Sequence, residues 1–311
     1  MRTDESVERP LRDLRVIEFE ALGPGPLAGR MLSDLGAHVT LVARPTTSPV
    51  DRVLIGENNE NPLRQGKEII TLDLKAANGV IAALNLIADA DALIEGNRPG
   101  VMERLRLGPA ECAVRNPRLV YGRMTGWGQN GPLAQAAGHD LNYIALTGLL
   151  SLSMRSGTAP IVPPTVLGDA AGALGLCFGV VSAVLDARSS GRGRVVDAAI
   201  IDVVAMLGTI VQGIRANGQI DGAQPSPFYD SPFYDAYVCA DGRFITIGAL
   251  EPQFYAVLLK KLQLDDVDPA AQYDRNQWRG LKARLSGLFA SYPAIIGVVC
   301  LREAMSVLDE S

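Results

Sequence analysis

The 311-residue sequence is poor in the side chains that most often bind metal ions or form disulfides. It contains two histidines, His38 and His139, and four cysteines that lie far apart, with no CxxC pair and no cysteine–histidine cluster. This scarcity argues against a zinc site and against a disulfide scaffold. Because no signal peptide is recognised either, we expect a reducing environment: the cytoplasm, or in a eukaryote the peroxisome or the mitochondrion.

Long basic runs and long hydrophobic runs are also lacking. The formal net charge is −5 at pH 7, and no segment is rich in lysine and arginine, so we expect no nucleic-acid partner. The longest uncharged apolar run extends from Ala170 to Leu185 and is rich in glycine and alanine. It is shorter than a typical membrane span, and it predicts a buried helix in a protein that has no membrane partner.

The first segments of the chain predict a βαβ unit and hence a parallel sheet. Leu14 to Phe19 and His38 to Ala43 have the composition of buried strands, and Leu27 to Leu35 between them has a helical pattern. The connecting Gly23-Pro24-Gly25-Pro26 has the glycine spacing of a dinucleotide-binding loop. Its two prolines, however, lack the N–H groups that such a loop donates to a phosphate.

Basic residues follow the predicted strands at several points. Arg44 follows the second strand, where an NAD-binding protein needs an acidic residue, so it favours a ligand with a phosphate on its ribose: NADP or coenzyme A. Lys75, Arg98 and Arg104 follow the next two predicted strands. Because ligands bind at the carboxyl ends of strands in open α/β sheets, these four cations predict a polyanionic ligand there. Scattered surface charge is the alternative interpretation.

His139 occurs in the pattern that most clearly indicates chemistry. It follows a run of small residues that ends at Gly138, and it precedes a segment with helical periodicity from Leu141 to Leu149. The positive end of a helix dipole favours a neutral imidazole, which is a good general base near pH 7. A histidine that only caps its helix is the alternative. Asp169, which opens the long apolar helix, is interpreted either as a helix cap or as a carboxylate in a cleft.

The last third of the chain predicts a second, smaller α+β domain. A second long apolar helix is expected from Val195 to Ala216, and a polar linker rich in proline and glycine follows from Asn217 to Ser231. Asp241-Gly242 indicates the tight turn of a β-hairpin, and Glu251 starts the next helix. The expected parts are a large domain, a linker and a small domain, at residues 1–216, 217–231 and 232–311.

Several short motifs occur together and in a fixed order. They are LGPGP at 22–26, DLK at 73–75, EGNRPG at 95–100, RLRLGP at 104–109, RMTGWGQ at 123–129, AGHDLNY at 137–143, GD at 168–169, VDAA at 196–199 and ALEPQFY at 249–255. On these motifs the chain resembles the α-methylacyl-CoA racemases of the family III CoA-transferase superfamily, over roughly residues 10 to 290. Few families combine these motifs, so the resemblance is specific.

The resemblance implies a fold, an oligomer and a set of residue roles. The implied fold class is α/β, with a Rossmann-like large domain and a smaller α+β domain, in a homodimer of two chains threaded through each other as interlocked rings. The implied catalytic residues are His139, Asp169 and Glu251, in a site between subunits. No metal and no cofactor is implied, because coenzyme A is part of the acyl-CoA thioester substrate. The implied contacts to coenzyme A are Arg44, Leu72, Asp73, Leu74, Lys75, Arg98, Arg104, Gly138, Asp140 and Tyr143.

The implied activity is the racemisation of 2-methylacyl-CoA thioesters. One group removes the α-proton, an enolate forms, and a second group returns a proton to the opposite face. His139 and Asp169, at two separate helix starts, fit this two-base 1,1-proton transfer. A family III CoA-transferase with Asp140 as nucleophile is the alternative, although transferases of this type usually lack the preceding histidine. A catalytically impaired homologue that only binds coenzyme A is a further alternative, and an NADP-dependent reductase fits Arg44 but not the two prolines.

Three features of the sequence depart from the family pattern. Asn97 replaces the aromatic residue that usually precedes Arg98, which predicts a looser wall of the coenzyme A site. The motif SPFYD occurs twice in succession, at 226–230 and 231–235, and is interpreted as a local duplication. From about Tyr292 onward the family pattern is lost, and we expect poor stability or impaired closure of the dimer from an atypical or truncated end.

Overall fold

The computed structural model describes residues 8–46, 61–154, 158–161 and 164–295. The chain divides into two compact units, the first ending at Gly208 and the second beginning at Thr209. The helix from Thr209 to Ala216 belongs to the second unit, whereas the sequence analysis placed it before the linker. Most of the segment that departs from the family pattern after Tyr292, residues 296–311, lies outside the described residues.

A parallel sheet lies at the centre of the first unit. Its strands are β1 (Arg15–Phe19), β2 (His38–Ala43), β3 (Glu68–Thr71), β4 (Ala92–Glu95), β5 (Val120–Thr125) and β6 (Val195–Ala199). Their order across the sheet is β3-β2-β1-β4-β5-β6, and every pairing is parallel. This is the order of a doubly wound sheet, and it confirms the parallel sheet predicted from the sequence and the Rossmann-like domain implied by the resemblance. In such sheets, ligands bind at the carboxyl ends of the strands, where the order reverses.

The described residues of the first unit form seven α-helices around this sheet. They are α1 (Pro24–Asp34), α2 (Ala77–Ala88), α3 (Val101–Arg104), α4 (Pro109–Arg115), α5 (Asp140–Leu146), α6 (Asp169–Ser190) and α7 (Ile200–Leu207). Helix α1 starts with Pro24 and has Pro26 in its first turn. Prolines are tolerated there because the first N–H groups of a helix have no acceptor within the helix.

Among the described residues, α6 is the one helix that is long and apolar enough to cross a membrane. Within the first unit it packs against α1, β5, β6 and α7, and Ala173, Leu176 and Val180 are fully buried. Its glycines allow close packing, since a Cβ on Gly172 would lie 2.8 Å from Cγ1 of Ile200. One face of this apolar helix is therefore part of the core of the first unit.

Two apolar layers cover the opposite faces of the sheet. The first contains α1 and α6 and is centred on Val16, Leu32, Ile94, Leu176 and Val180. The second contains α2 and is centred on Ile17, Phe19, Ile87, Leu93 and Met102. Each fully buried aliphatic or aromatic side chain contributes about 1.5–3 kcal/mol to stability, so the sheet is a firm support for the loops at its carboxyl edge.

The predicted strands of the first unit are confirmed with small shifts of their ends, but the long helix predicted from Val195 to Ala216 is wrong. Its first part is β6, which pairs with β5 from Tyr121 to Thr125. Two short helices follow, α7 and the helix from Thr209 to Ala216. Adjacent valines at 195 and 196 favour a strand because branching at Cβ fits the pleated backbone.

The part of the second unit that the structure describes, residues 209–295, contains a hairpin and three α-helices. These elements are α8 (Thr209–Ala216), β7 (Tyr234–Val238), β8 (Phe244–Gly248), α9 (Pro252–Lys261) and α10 (Arg275–Ala290). The strands β7 and β8 are antiparallel, and Gly242 in their turn has a φ of 74°. The hairpin and its Asp-Gly turn are therefore confirmed, because this left-handed conformation is the one that favours glycine.

The two copies of SPFYD have different surroundings in the second unit. Phe233 of the second copy is fully buried, and it meets three further rings edge to face, those of Tyr255, Tyr273 and Trp278. Phe228 of the first copy is half-buried and lies edge to face against Tyr234. The second copy thus contributes to the core of the unit, and the first copy lengthens the loop before β7.

Candidate active site

His139 stands at the start of α5, where its backbone is extended. It occupies the position before the first helical residue, and its N–H donates to Oδ1 of Asn142 at 3.0 Å. The imidazole itself is exposed. The predicted helix after His139 is shorter than expected: α5 ends at Leu146, because Gly148 adopts a left-handed φ of 79°. The histidine thus lies at the positive end of a helix, as the sequence predicted.

Aromatic rings fix the backbone just before His139. The rings of Trp127 and Tyr143 meet edge to face with centroids 4.7 Å apart, and the Tyr143 hydroxyl donates to the carbonyl of Gly138. A Cβ on Gly138 would lie 2.8 Å from a ring carbon of each aromatic side chain. A Cβ on Gly126 would overlap the Tyr143 ring. Both glycines are therefore required for the backbone to approach these rings so closely.

Asp197 of β6 holds the loop between β5 and His139, a role that was not predicted from the sequence. Its Oδ2 accepts from the N–H of Gln129 at 2.9 Å, and Oγ1 of Thr125 accepts from the N–H of Gly128 at 3.0 Å. The motif VDAA at 196–199 contains Asp197, but only the pairing of β6 with β5 brings its carboxylate to this loop. The loop therefore has fixed anchors at the carboxyl end of β5.

Asp140 connects the starts of α5 and α6. Its side chain is 5% exposed, and its Oδ2 accepts from the N–H groups of Gly168 at 2.6 Å and Asp169 at 2.8 Å. Gly168 occupies the N-cap position of α6, so the interpretation of Asp169 as the residue that caps this helix is wrong. The capping oxygen comes from a different helix, which brings Asp140 and Asp169 together.

Asp169 has the properties of a carboxylate held in a cleft. Burial raises its pKa to about 6, the negative charge of Asp140 adds to this rise, and the charge of His139 opposes it. The three residues are neighbours in space because His139 directly precedes Asp140, which accepts the hydrogen bond from the Asp169 N–H. No group in the described parts of the chain donates a hydrogen bond to the Asp169 carboxylate. A Cβ on Gly23, in the loop before α1, would lie 3.3 Å from Oδ2 of Asp169.

A buried ion pair supports the start of α1, and the sequence analysis did not predict it. Nζ of Lys67 donates to the two carboxylate oxygens of Glu18, at 2.8 and 2.6 Å, and to the carbonyl of Pro26 at 2.9 Å. Burial raises the pKa of Glu18 to about 7, although Lys67 opposes this rise, and burial lowers the pKa of Lys67. The pair fixes the backbone that follows Gly23, which faces Asp169.

The four predicted cations lie at the expected edge of the sheet, after β2, β3 and β4. Arg44 is exposed, and its guanidinium donates a hydrogen bond to the carbonyl of Glu20 at 3.1 Å. Lys75, Arg98 and Arg104 are exposed, and within the described residues their side chains have no carboxylate partner. Three uncompensated positive charges at this edge fit a polyanionic ligand. The contacts of these residues, and of Leu72, Asp73 and Leu74, to coenzyme A stay predictions.

Arg123 ties the loop that contains Arg98 to the sheet, a further role absent from the sequence analysis. Its Nε donates to Oε1 of Glu95 at 2.9 Å, and a second guanidinium nitrogen donates to Oε1 of Glu103 at 2.8 Å. Hydrogen bonding from Arg123 lowers the pKa of Glu103, whereas burial raises that of Glu95. Oε2 of Glu95 accepts from the N–H of Asn97 at 2.6 Å, which fixes the residue before Arg98.

Glu251, the third predicted catalytic residue, lies in the second unit. It is exposed and occupies the N-cap position of α9, so its place at a helix start is confirmed. Its membership in the same site as His139 stays a prediction. In the described parts of the chain, no group of three or more histidine, cysteine or acidic residues could hold a metal ion. A groove of about 880 Å³ beside α2 does not include His139 or Asp169, and both apolar and polar residues of β1, β2, β3 and α2 line it.

The chain is similar to known proteins over most of its length. The family model described as CoA-transferase family III matches residues 11–307. Alpha-methylacyl-CoA racemase of Mus musculus is 39% identical over 283 residues, and that of Homo sapiens is 36% identical over 290 residues. Each alignment covers 90% of this chain and 72% of the relative.

Solved structures give the same assignment. Rv3272 of Mycobacterium tuberculosis is 32% identical with a TM-score of 0.75, over 95% of this chain and 80% of that protein. A CaiB/BaiF family protein from Brucella suis is 25% identical with a TM-score of 0.74, over 96% of this chain and 82% of that protein. Since the family model covers nearly the whole chain and the racemases share more than a third of the aligned residues, the protein belongs to CoA-transferase family III.

Proposed function

We propose that this protein is an isomerase, a racemase or epimerase that inverts the α-carbon of 2-methylacyl-CoA thioesters. The observation that carries the proposal is the meeting of two potential bases, His139 and Asp169, at the starts of two helices that Asp140 joins. Two relatives with more than a third of their aligned residues identical are named alpha-methylacyl-CoA racemase, which supports the same reaction.

The chemistry of this site suits proton transfer through an enolate. The α-proton of a thioester is weakly acidic, so the negative charge that develops on the thioester oxygen must be stabilised. The first N–H groups of α5 have no acceptor within the helix, and the helix dipole adds positive potential at the same place. His139 removes or returns the proton on one face, Asp169 does so on the other, and no cofactor is needed.

The pH dependence of the reaction should report on Asp169. Its carboxyl must be ionised to remove a proton, and its pKa is raised to about 6. We expect the rate of α-deuterium exchange from one enantiomer to fall about tenfold per pH unit below pH 6. An unperturbed aspartate would keep full activity down to about pH 4. Initial exchange rates, measured for each enantiomer between pH 4 and 8, check this expectation. Exchange rates that stay constant down to about pH 4 for both enantiomers would contradict it.

A CoA-transferase is the competing function, because relatives of this chain include proteins named as such, for example the probable fatty acyl-CoA transferase Rv3272. In that reaction a carboxylate, here Asp140, would attack the acyl thioester and form a mixed anhydride as the coenzyme A thiolate leaves. The thiolate would then attack the aspartyl carbonyl, which releases the free acid and leaves a coenzyme A thioester on the protein. The burial of Asp140 and its two hydrogen bonds to the start of α6 favour the racemase. A protein that binds coenzyme A without turnover is the remaining alternative.

One experiment separates these functions. The protein is incubated in deuterium oxide with a 2-methylacyl-CoA and no acceptor acid, and substrate and protein are then analysed by mass spectrometry. If the protein is a racemase, the substrate gains one deuterium and the protein carries no adduct. If it is a transferase, turnover needs an acceptor acid, and without one the protein becomes heavier by a coenzyme A thioester. A substrate that binds but gains no deuterium would support the impaired homologue.

We also infer a homodimer, as the family resemblance implies, in a reducing compartment such as the cytoplasm. Helix α6 exposes an apolar stripe of Leu174, Phe178 and Leu185, with 55%, 75% and 73% of each residue accessible. Such a stripe is usually covered by another surface. The three cysteines of the described residues, Cys112, Cys177 and Cys239, are unpaired. Light scattering of the purified protein tests the dimer, and a monomeric mass at micromolar concentration would contradict it.

A further inference from the structure

Two acidic side chains share the starts of α5 and α6, and their surroundings differ. Asp169 faces the loop before α1 and has no hydrogen-bond donor in the described parts of the chain. Asp140 is 5% exposed and accepts from two N–H groups at the start of α6, those of Gly168 and Asp169. The first N–H groups of a helix need acceptors from outside it, and one oxygen of Asp140 supplies the acceptor for two of them.

The other carboxylate oxygen of Asp140, Oδ1, is unusual because it is buried but accepts no hydrogen bond. A buried carboxylate oxygen without a donor is costly, so helix capping alone does not explain why an acid occupies this position. The space is also tightly fitted, since a Cβ on Gly168 would lie 2.7 Å from Oδ2 of Asp140.

We propose that Asp140 is a positioning residue of the racemase. It holds the start of α6 so that the Asp169 carboxylate faces the substrate. The Asp140 carboxylate itself does not act as a nucleophile. This inference rests on the proposed function. It is carried by the two hydrogen bonds, the burial of Asp140 and its unpartnered oxygen. One oxygen of Asp140 is occupied, and the other is enclosed by protein atoms, so neither is free to attack a thioester.

The charge of Asp140 has a second effect on its neighbour. The charges of Asp140 and His139 act on the pKa of Asp169. The Tyr143 hydroxyl is a further titratable neighbour, and its own pKa is raised by burial and then by the two aspartates. Because like charges disfavour each other, the charge of Asp140 adds to the effect of burial and raises the pKa of Asp169. Removal of this charge must therefore shift the ionisation of Asp169 to lower pH.

The test compares wild type with Asp140→Asn, Asp140→Ala and the control Asp202→Asn, which removes one exposed negative charge at the start of α7. Asparagine keeps an oxygen for the two N–H groups but removes the charge. We expect Asp140→Asn to keep measurable exchange while its acidic limb moves to lower pH, for the enantiomer that Asp169 serves. Asp202→Asn should keep the wild-type profile. Wild-type pH profiles for Asp140→Asn would overturn the proposal.

A second measurement does not depend on turnover. Amide hydrogen exchange of the unliganded protein, followed by mass spectrometry of peptides over 164–176, should be at least tenfold faster in Asp140→Ala than in wild type. Peptides of α10 should be unchanged. Equal protection of the α6 start in both proteins would overturn the positioning role, whether or not the wild type racemises any substrate. A coenzyme A thioester mapped to Asp140 after incubation with acyl-CoA would overturn the exclusion of a nucleophile.

Discussion

Replacement of Asp169 by asparagine should slow α-deuterium exchange from one enantiomer of a 2-methylacyl-CoA by about 10²–10⁴-fold. The same variant should lose far less exchange from the opposite enantiomer, because His139 still removes that proton. His139→Ala should show the mirror image of this result. The reason is geometric: each base reaches one face of the α-carbon, so each variant keeps the half-reaction that the remaining base serves.

The control for this experiment is the second histidine of the chain. His38 lies on β2, exposed and at the opposite end of the strand from Arg44, so His38→Ala removes an imidazole without touching the site. It should exchange both enantiomers at wild-type rates. Initial rates in deuterium oxide, measured with each pure enantiomer, give the comparison. Equal losses for both enantiomers in Asp169→Asn and in His139→Ala would contradict the assignment of one face to each base.

The largest loss of stability is expected from Lys67→Met. This change leaves Glu18 as a buried carboxylate without its cation, and loss of one partner of a buried ion pair costs about 3–5 kcal/mol. The pKa of Glu18 is already raised to about 7, above its unfolded value of 4.5, and loss of Lys67 raises it further. The folded state then holds the Glu18 proton more tightly than the unfolded state, so stability is lost as pH rises above 4.5.

Urea unfolding at pH 5.5 and pH 8 measures this effect. The free energy of unfolding that Lys67→Met loses relative to wild type should be larger at pH 8. At that pH the unfolded Glu18 is ionised, so folding must either bury the charge or take up a proton. A double variant, Glu18→Leu with Lys67→Met, replaces both charges by apolar side chains and should recover most of the loss. A single-variant deficit that is equal at both pH values would contradict the link to Glu18 ionisation, and a deficit below about 1 kcal/mol would show that the ion pair contributes little.

The fold was largely predictable because apolar segments of the right length mark buried strands and helices. The βαβ start, the packing of one face of α6 in the core and the Asp-Gly hairpin were anticipated from local sequence, and the Rossmann-like fold was implied by the family resemblance. The misassigned segment from Val195 to Ala216 is mostly apolar, and its few polar residues show no period that distinguishes the strand β6 from the helices after it. The first part of this segment is a strand because it pairs with β5, whose edge would otherwise have no neighbouring strand.

The site was predictable only in part, because its decisive contacts join distant residues. His139 and Asp169 were anticipated from helix starts and from the family resemblance. The cap from Asp140 to Gly168 spans 28 positions, and the ion pair of Glu18 and Lys67 spans 49. Glu18 even lies within a segment that reads as apolar strand. Local sequence carries no signal for such pairings, since they depend on which strand ends become neighbours in the sheet.

The most direct test of the account is a racemisation time course with one pure enantiomer of a 2-methylacyl-CoA in deuterium oxide, without an acceptor acid. Chirality-resolved analysis of the recovered thioester follows configuration and isotope together. We expect either enantiomer to converge on an equal mixture, with one deuterium at the α-carbon of every inverted molecule. Retained configuration with no deuterium, in protein that binds the thioester, would contradict a two-base site built from His139 and Asp169.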